Sequence, residues 1–173
     1  SGTGTFTIPS SVLANAGTTT IEITTVIPST GCNFSFTSGQ VTDSFVINAL
    51  PNVTGGTNSV AVTEPLCLGS NGAVTFNASA MANGTYNIAY TLSGANASTQ
   101  TASGVVVASG TGTFTIPSSA LTNAGTTTIS LSSVVASASG CTTTITPGTI
   151  TDSFVINALP NVTGGTNSVA VTE

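Results

Sequence analysis

An internal duplication dominates this chain. Residues 42–64 and 151–173 carry the same 23 letters, TDSFVINALPNVTGGTNSVAVTE, without one substitution. Residues 1–21 recur at 109–129 with only two differences. The two offsets are 109 − 1 = 108 and 151 − 42 = 109, so the second copy carries one extra residue between the matched stretches. Such a long repeat, kept almost letter for letter, indicates a structural unit that occurs more than once.

A period of this length corresponds to a whole domain rather than to a solenoid repeat. The segment between the two copies, residues 65–108, occurs only once. We therefore expect residues 1–50 to be the C-terminal half of one domain and residues 51–159 to be a complete domain. Residues 160–173 are then the linker and first strand of a third domain. The chain is expected to be a window on a longer tandem array.

Hydrophobic alternation of period two predicts an all-β fold. The predicted strands of the complete domain are 73–79, 85–92, 105–109, 113–116, 126–135 and 149–159, and the same pattern returns at 168–172. The residues predicted to face inward are Val74, Phe76, Ala78, Tyr86, Ile88, Tyr90, Leu92, Phe114, Ile116, Ile129, Leu131, Ser133, Val135, Phe154, Ile156 and Ala158.

Turn signals separate these strands, among them ASG at 102–104 and PG at 147–148. Residues 117–125 fit one helical turn capped by Ser118. About seven short strands within one such period are typical of an immunoglobulin-like β-sandwich. The sequence therefore predicts tandem immunoglobulin-like sandwiches of about seven strands each.

The charge composition excludes several functions. Charged residues make up 3 % of the chain, Lys, Arg and His are absent, and the net charge is −5. Nucleic-acid binding and docking on anionic lipid both need cations. No apolar run approaches the roughly 18 residues of a membrane span, so we expect no direct membrane insertion.

The missing residue types also limit chemistry. Without His or Lys the usual general bases and amine nucleophiles are gone, so we expect no enzyme, no catalytic residue and no cofactor. Calcium often needs two or three carboxylates in one loop, and no DxDxD loop exists. We therefore expect no metal site.

The three cysteines suggest a covalent tie. Cys67 and Cys141 both lie within the predicted complete domain, and we expect a disulfide between them. Cys32 takes the place of Cys141 in the preceding repeat, so its partner is expected upstream of the chain. The alternative is a metal or redox pair, but no CxxC spacing and no His supports it. A disulfide implies an oxidising, extracellular setting.

The duplicated stretch is also expected to form the joint between successive domains. Pro stops the ladder of the preceding strand, and a Gly–Gly pair permits a turn. The predicted joint residues are Pro51, Asn52, Gly55, Gly56, Pro160, Asn161, Gly164 and Gly165.

Two kinds of glycosylation signal occur. Six asparagines match the N-glycosylation pattern: Asn33, Asn52, Asn77, Asn83, Asn96 and Asn161. Chance supplies most of these in a chain this rich in Asn, Ser and Thr. Ser44 and Ser153 follow Asp and precede Phe, which is similar to a bacterial O-glycosylation signal. The alternative interpretation is an Asp at a strand entrance.

Several motifs carry a resemblance to a known family: LCLGSNGAVTF, NGTYNIAYTLSG, GTGTFTIPSSALTNAGTTTI, SGC and FVINALPNV. Together they resemble the immunoglobulin- or PKD-like repeats of giant SprB-type adhesins, which gliding bacteria secrete through the type IX system. The Cys67–Gly69 start, the Gly140–Cys141 pair and the Leu159–Pro160 joint match that pattern.

The resemblance implies a structural or adhesive repeat of an extracellular, cell-surface filament that supports adhesion or gliding motility. Its partners would be neighbouring repeats, surface glycans or the substratum, and the secretion or motility machinery. Two alternatives stay open: a glycan- or ice-binding adhesin domain, and an accessory module of a larger secreted enzyme.

Overall fold

The computed structural model describes residues 3–161, and the chain divides into two compact units, residues 1–49 and 50–173. The described residues are mostly β-strand, with two three-residue 3₁₀ turns at Ser10–Val12 and Ser118–Ala120. The all-β fold that the alternation predicts is confirmed.

The second unit carries nine strands in its described part, which follow four in the first unit. They are β5 (Asn58–Val62), β6 (Leu66–Cys67), β7 (Gly72–Ala78), β8 (Gly84–Gly94), β9 (Ser98–Ala108), β10 (Thr111–Ile116), β11 (Gly125–Ala136), β12 (Thr142–Thr144) and β13 (Thr151–Asn157). Eight of them follow one hydrogen-bonded path, β5-β7-β10-β9-β8-β11-β13-β6, and β12 pairs with β11. The predicted strand at 168–172 lies outside the described residues.

The first and last strands of this path are consecutive in the chain. β5 pairs antiparallel with β7, and β6 pairs parallel with β13 after the cis Glu64–Pro65 peptide. The sheet therefore curls until its two ends meet at one short segment. β9 and β10 share only two residue pairs, next to their connecting turn, and are unpaired with each other beyond them.

The core lies inside this curled sheet. The alternation predicted for β7 and β8 is confirmed, since Val74, Phe76 and Ala78 are buried together with the apolar face of β8. The largest side chains that are almost fully buried are Tyr90, Phe76, Phe154, Ile88, Ile116, Leu121, Ile129, Leu131 and Ile156. Burial of this apolar surface, rather than ion pairing, stabilises a unit whose sequence contains no Lys, Arg or His.

The inward face of β11 differs from the prediction past its midpoint. Ile129 and Leu131 are buried as expected, but Val134 is buried where Val135 was predicted to be. The register between β11 and β8 shifts between Leu131 and Ser133. Such a bulge adds one residue to a strand, so every side chain beyond it moves to the opposite face.

The turn predicted at residues 102–104 is wrong. β9 runs through this stretch from Ser98 to Ala108, and Gly104 has a positive φ of 70° inside the strand. Its N–H donates to Asn87 Oδ1 at 3.0 Å, where the β8–β9 register shifts between Tyr86 and Ile88. The ASG signal marks a bulge, which also uses glycine.

The first unit repeats the strand pairing of the second. Its strands are β1 (Gly17–Glu22), β2 (Thr25–Val26), β3 (Phe34–Ser35) and β4 (Thr42–Ile47). The β1–β4 pairs, from Gly17↔Ile47 onward, match the β11–β13 pairs, from Gly125↔Ile156 onward, at all six positions. The β2–β3 pairs likewise match those between β11 and β12. The duplicated stretches therefore pair alike in both places, and the same pairing is kept between residues 25–26 and 34–35, where the two copies differ in sequence.

One buried amide joins the β8–β9 turn to the chain ahead of β11. Asn96 is 3 % exposed, and its Nδ2 donates at 2.9 Å to both Asn123 O and Thr127 Oγ1. Its Oδ1 accepts from Asn123 N at 2.9 Å. The side chain thus satisfies buried polar groups on two neighbouring segments, as buried amides must.

Asn96→Ala should lower the free energy of unfolding by about 2–3 kcal/mol, because it leaves the partners of a buried amide unsatisfied. Urea denaturation followed by circular dichroism measures the change. Ser103→Ala, at an exposed position of β9, is the control and should change stability by less than about 0.5 kcal/mol. Equal stabilities of the two variants would show that Asn96 does not hold this corner.

Candidate functional site

The predicted joint residues at the start of the second unit are built into its fold. Pro51 and Val53 are buried, and Pro51 O accepts from Thr143 Oγ1 at 2.7 Å. Asn52 Oδ1 accepts from Gly55 N at 2.9 Å, which closes a local turn. Pro51 and Val53 therefore pack into the second unit, whereas Asn52 stays exposed.

The conformation of Gly56 requires glycine at this position. Its φ is +75°, and a Cβ added there would lie 2.2 Å from Ser79 Oγ. That hydroxyl accepts from Thr57 N at 2.9 Å, so it cannot turn away without losing this bond. Of the second copy of the joint, Pro160 and Asn161 are exposed, and Gly164 and Gly165 lie outside the described residues.

Two acidic residues of the second unit, Asp152 and Glu64, accept hydrogen bonds from backbone amides. Asp152 Oδ2 accepts from Val62 N at 2.7 Å, across 90 residues of sequence. Glu64 Oε1 accepts from Val155 N at 2.6 Å. Both bonds tie the β5–β6 segment to β13, and charged acceptors make such hydrogen bonds stronger than neutral ones. Within residues 3–161, no three acidic or cysteine side chains cluster as metal ligands would.

The structure does not bring Cys67 and Cys141 together. Cys67 pairs with Asn157 at the end of β13, beside the first residue of β11. Cys141 lies at the other end, where its carbonyl accepts from Ala136 N. The intervening strand spans roughly 35 Å, whereas a disulfide needs Cα atoms within about 7 Å. The parallel pairing of β6 and β13 places the end of β6 at the end of β13, away from the hairpin that precedes β13. Cys32, in the first unit, is exposed.

Cys67→Ser should leave the thermal unfolding midpoint unchanged within about 1 °C, because no bridge within the domain is lost, whereas a lost disulfide costs several kcal/mol. Differential scanning calorimetry measures the midpoint. Peptide mapping without reduction supplies the second readout. A peptide pair that joins Cys67 to Cys141, with a lowered midpoint in the variant, would contradict this arrangement.

The predicted glycosylation residues are exposed and hydrogen-bonded. Ser153 Oγ and Thr128 Oγ1 lie 2.8 Å apart, and Ser44 Oγ and Thr20 Oγ1 lie 2.9 Å apart. Four asparagines that match the N-glycosylation pattern make structural hydrogen bonds. Their Oδ1 atoms accept from backbone N–H groups or, for Asn77, from the Thr111 hydroxyl; the four are Asn52, Asn77, Asn83 and Asn96. Burial of Asn96 removes that site from modifying enzymes.

The clearest open site is a cleft between β9 and β10. It has a volume of about 450 Å³ and opens where these strands stop pairing. Among the described residues, no charged side chain lines it. Its walls include the hydroxyl and amide side chains of Asn71, Gln100, Thr101 and Thr113, with the rings of Tyr90 and Phe114 at 5.4 Å between centroids.

Tyr90 lines this cleft with a hydroxyl that makes no hydrogen bond to the described part of the chain. The residue is only 1 % exposed, and within residues 3–161 its Oη has no hydrogen-bond partner. Burial raises the pKa of Tyr90 above its ordinary value of 10.0, because the phenolate is poorly solvated. Sequence alternation predicted the inward direction of Tyr90, but the cleft itself depends on the separation of β9 from β10, which no local pattern reveals.

Tyr90→Phe should retain stability at neutral pH within about 0.5 kcal/mol, because the hydroxyl makes no internal hydrogen bond. Above about pH 10 the unfolded chain ionises this tyrosine before the folded one does. The wild type should therefore lose more stability than the variant as pH rises through the raised pKa of the folded state. Urea denaturation at about pH 8 and about pH 11 measures both effects. Equal losses in the two proteins would contradict the raised pKa of Tyr90 in the folded state.

A second cavity, of about 380 Å³, lies between the start of the second unit and the segment that joins β12 to β13. Val53, Ile145 and Ile150 provide apolar walls. Asn58, which also lines it, has a buried Oδ1 without a hydrogen-bond partner. This cavity can therefore accept a small donor such as a water molecule.

Comparison with known proteins gives no family. No family model, no curated protein and no solved structure matches this chain. Over residues 3–161 there is also no helix with the length and hydropathy to cross a membrane.

Proposed function

We propose that this chain belongs to a tandem array of immunoglobulin-like domains that forms an extracellular, cell-surface filament and serves adhesion or gliding motility. The observation that carries the proposal is the repeated pairing: β1–β4 matches β11–β13 residue for residue. A chain that builds the same half-domain twice, one domain length apart, has the organisation of a repeat protein. Repetition of one module suits an extended structural role better than a single catalytic one.

The strand order supports the immunoglobulin-like assignment. In that architecture one sheet has the order A-B-E-D and the other the order C-F-G. The path β5-β7-β10-β9 corresponds to the first order and β8-β11-β13 to the second, and β9 also pairs with β8. The first strand contributes to both sheets through β5 and β6.

The composition supports an exposed, extracellular role. A surface of Ser, Thr, Asn and Gly is wetted by neutral groups, and the chain contains no Lys or Arg, so trypsin has no site in it. We infer from this chemistry and from the repeat that neighbouring repeats are its first partners.

The test is the intact mass of the protein in the cells that make it. An antibody raised against residues 51–159 should detect a species far larger than the 16.8 kDa of this chain. Intact cells treated with trypsin should keep the epitope, while proteinase K removes it. Antibody labelling of unpermeabilised cells is the control for location. A mass near 16.8 kDa would contradict the array, and loss of labelling without permeabilisation would contradict the surface location.

A second function is favoured by the cleft between β9 and β10. We propose that it binds a neutral glycan. Sugars offer many hydroxyl groups, and the cleft presents uncharged hydroxyl and amide groups, aromatic rings and the hydroxyl of Tyr90, which makes no hydrogen bond within residues 3–161. The lack of charged lining residues in the described part of the chain argues against an anionic or cationic ligand.

A glycan array probed with the whole chain should show binding to neutral sugars that Tyr90→Phe weakens by about tenfold, the usual cost of one hydrogen bond to a ligand. Tyr86→Phe is the matched control, because the Tyr86 hydroxyl donates to Ala82 O at 2.8 Å and does not line the cleft. Binding that both variants keep, or an array without any binding, would rule out this use of the cleft.

A further inference from the structure

The second cavity of the second unit contains a buried hydrogen-bond acceptor that the fold leaves unused. Within residues 3–161, two buried side-chain atoms lack a hydrogen-bond partner, Ser98 Oγ and Asn58 Oδ1, and Asn58 lines this cavity. A buried acceptor without a partner lowers the stability of a fold. Natural proteins keep such a cost mainly at functional sites, so the acceptor indicates a bound partner that is not part of the chain.

The cavity is large enough for a small molecule. Its volume is about 380 Å³. One water molecule takes about 30 Å³ of liquid, and pockets for small ligands begin at about 300 Å³. A single water bound to Asn58 would therefore leave most of the space unfilled.

The walls of the cavity combine aliphatic side chains with hydroxyl groups. Val53, Ile145 and Ile150 are buried and form apolar surface. The hydroxyl groups belong to Thr54, Thr144, Thr146 and Thr149. Thr149 Oγ1 donates to Thr146 O at 2.7 Å, so its lone pairs can still accept a hydrogen bond from a ligand.

The lining indicates the chemical class of the ligand. Within residues 3–161, no charged side chain lines the cavity, so an ionic ligand would lose hydration without gaining a counter-ion. A purely apolar ligand would leave Asn58 Oδ1 unsatisfied, and a purely polar one would not match three aliphatic walls. A sugar meets both requirements, because its ring carries hydroxyl donors around a surface of C–H groups.

We propose that this cavity binds one unit of an uncharged sugar, with a hydroxyl of the ligand donating to Asn58 Oδ1. The cavity shares no lining residue with the cleft between β9 and β10, so the two sites are separate. The bound sugar bridges residues 53–58 and the segment that joins β12 to β13. The same two parts of the chain already meet close by, where Thr143 Oγ1 donates to Pro51 O.

The test is nuclear magnetic resonance of the whole isotope-labelled chain, titrated with glucose, galactose, mannose and N-acetylglucosamine. At least one sugar should shift the side-chain amide of Asn58 and the backbone amides of Thr146 and Thr149 until the shifts saturate. If all four sugars leave these signals unchanged, the cavity holds only water and the proposal is overturned.

Two tryptophan variants locate the binding. Thr54 lines the cavity but is exposed, so Thr54→Trp should block the entrance without burying the new ring, and binding should weaken by about tenfold or more. Thr57→Trp is the matched control and should bind normally, because Thr57 is exposed in the same segment but does not line the cavity. Equal affinities of the two variants would mean that the sugar binds elsewhere, which overturns the proposal.

Asn58→Leu separates a binding role from a structural one. Leucine is similar in size but has no acceptor, so the variant should bind the sugar about tenfold more weakly, the usual cost of one hydrogen bond. Without sugar, its thermal unfolding midpoint in differential scanning calorimetry should be no lower than that of the wild type, because the fold does not use Oδ1. A lower midpoint would identify a structural role for Asn58 Oδ1 and overturn the proposal.

Tyr90→Phe keeps this site distinguishable from the cleft. The variant changes the cleft alone, so it should give the same titration at the signals of Asn58, Thr146 and Thr149 as the wild type. A weaker titration in this variant would place the sugar in the cleft and overturn the second site.

Discussion

The second unit depends on one short segment that serves both ends of its sheet. β5 and β6 follow each other in the chain, but β5 pairs with β7 and β6 pairs with β13. Two carboxylates secure this crossing, Asp152 on Val62 N and Glu64 on Val155 N. Since the chain has no Lys, Arg or His, backbone amides are the strongest partners that its carboxylates can find. The two carboxylates thus help to hold the β5–β6 segment against β13.

Much of the fold could be predicted from the sequence because the signal is local. Side chains alternate along β7 and β8, and the structure buries the predicted face of each. The prediction loses accuracy where a strand departs from period two. The bulge of β11 buries Val134 instead of Val135, and Gly104 predicts a turn although it lies inside β9. A bulge and a turn use the same residue types, so composition alone does not separate them.

The candidate site was less predictable because it depends on contacts between distant residues. The inward direction of Tyr90 follows from alternation, but the cleft exists only because β9 and β10 part after two residue pairs. The positions of the two cysteines depend on topology in the same way. Their presence in one domain suggested a bridge, yet strand direction places them at opposite ends of β11. Topology, which a single sequence encodes only weakly, decides both cases.

The path of the chain through the second unit has a mechanical consequence. Pro51 is held by Thr143 near one end of β11, and β13 ends at Asn157 near the other end. β6 and β13 run parallel, so a pull on these two points acts along the strands and across their hydrogen bonds. Those bonds and the two carboxylate contacts then carry the load together in shear instead of opening one at a time. A module with this geometry resists tension in the direction in which a chain of modules transmits it.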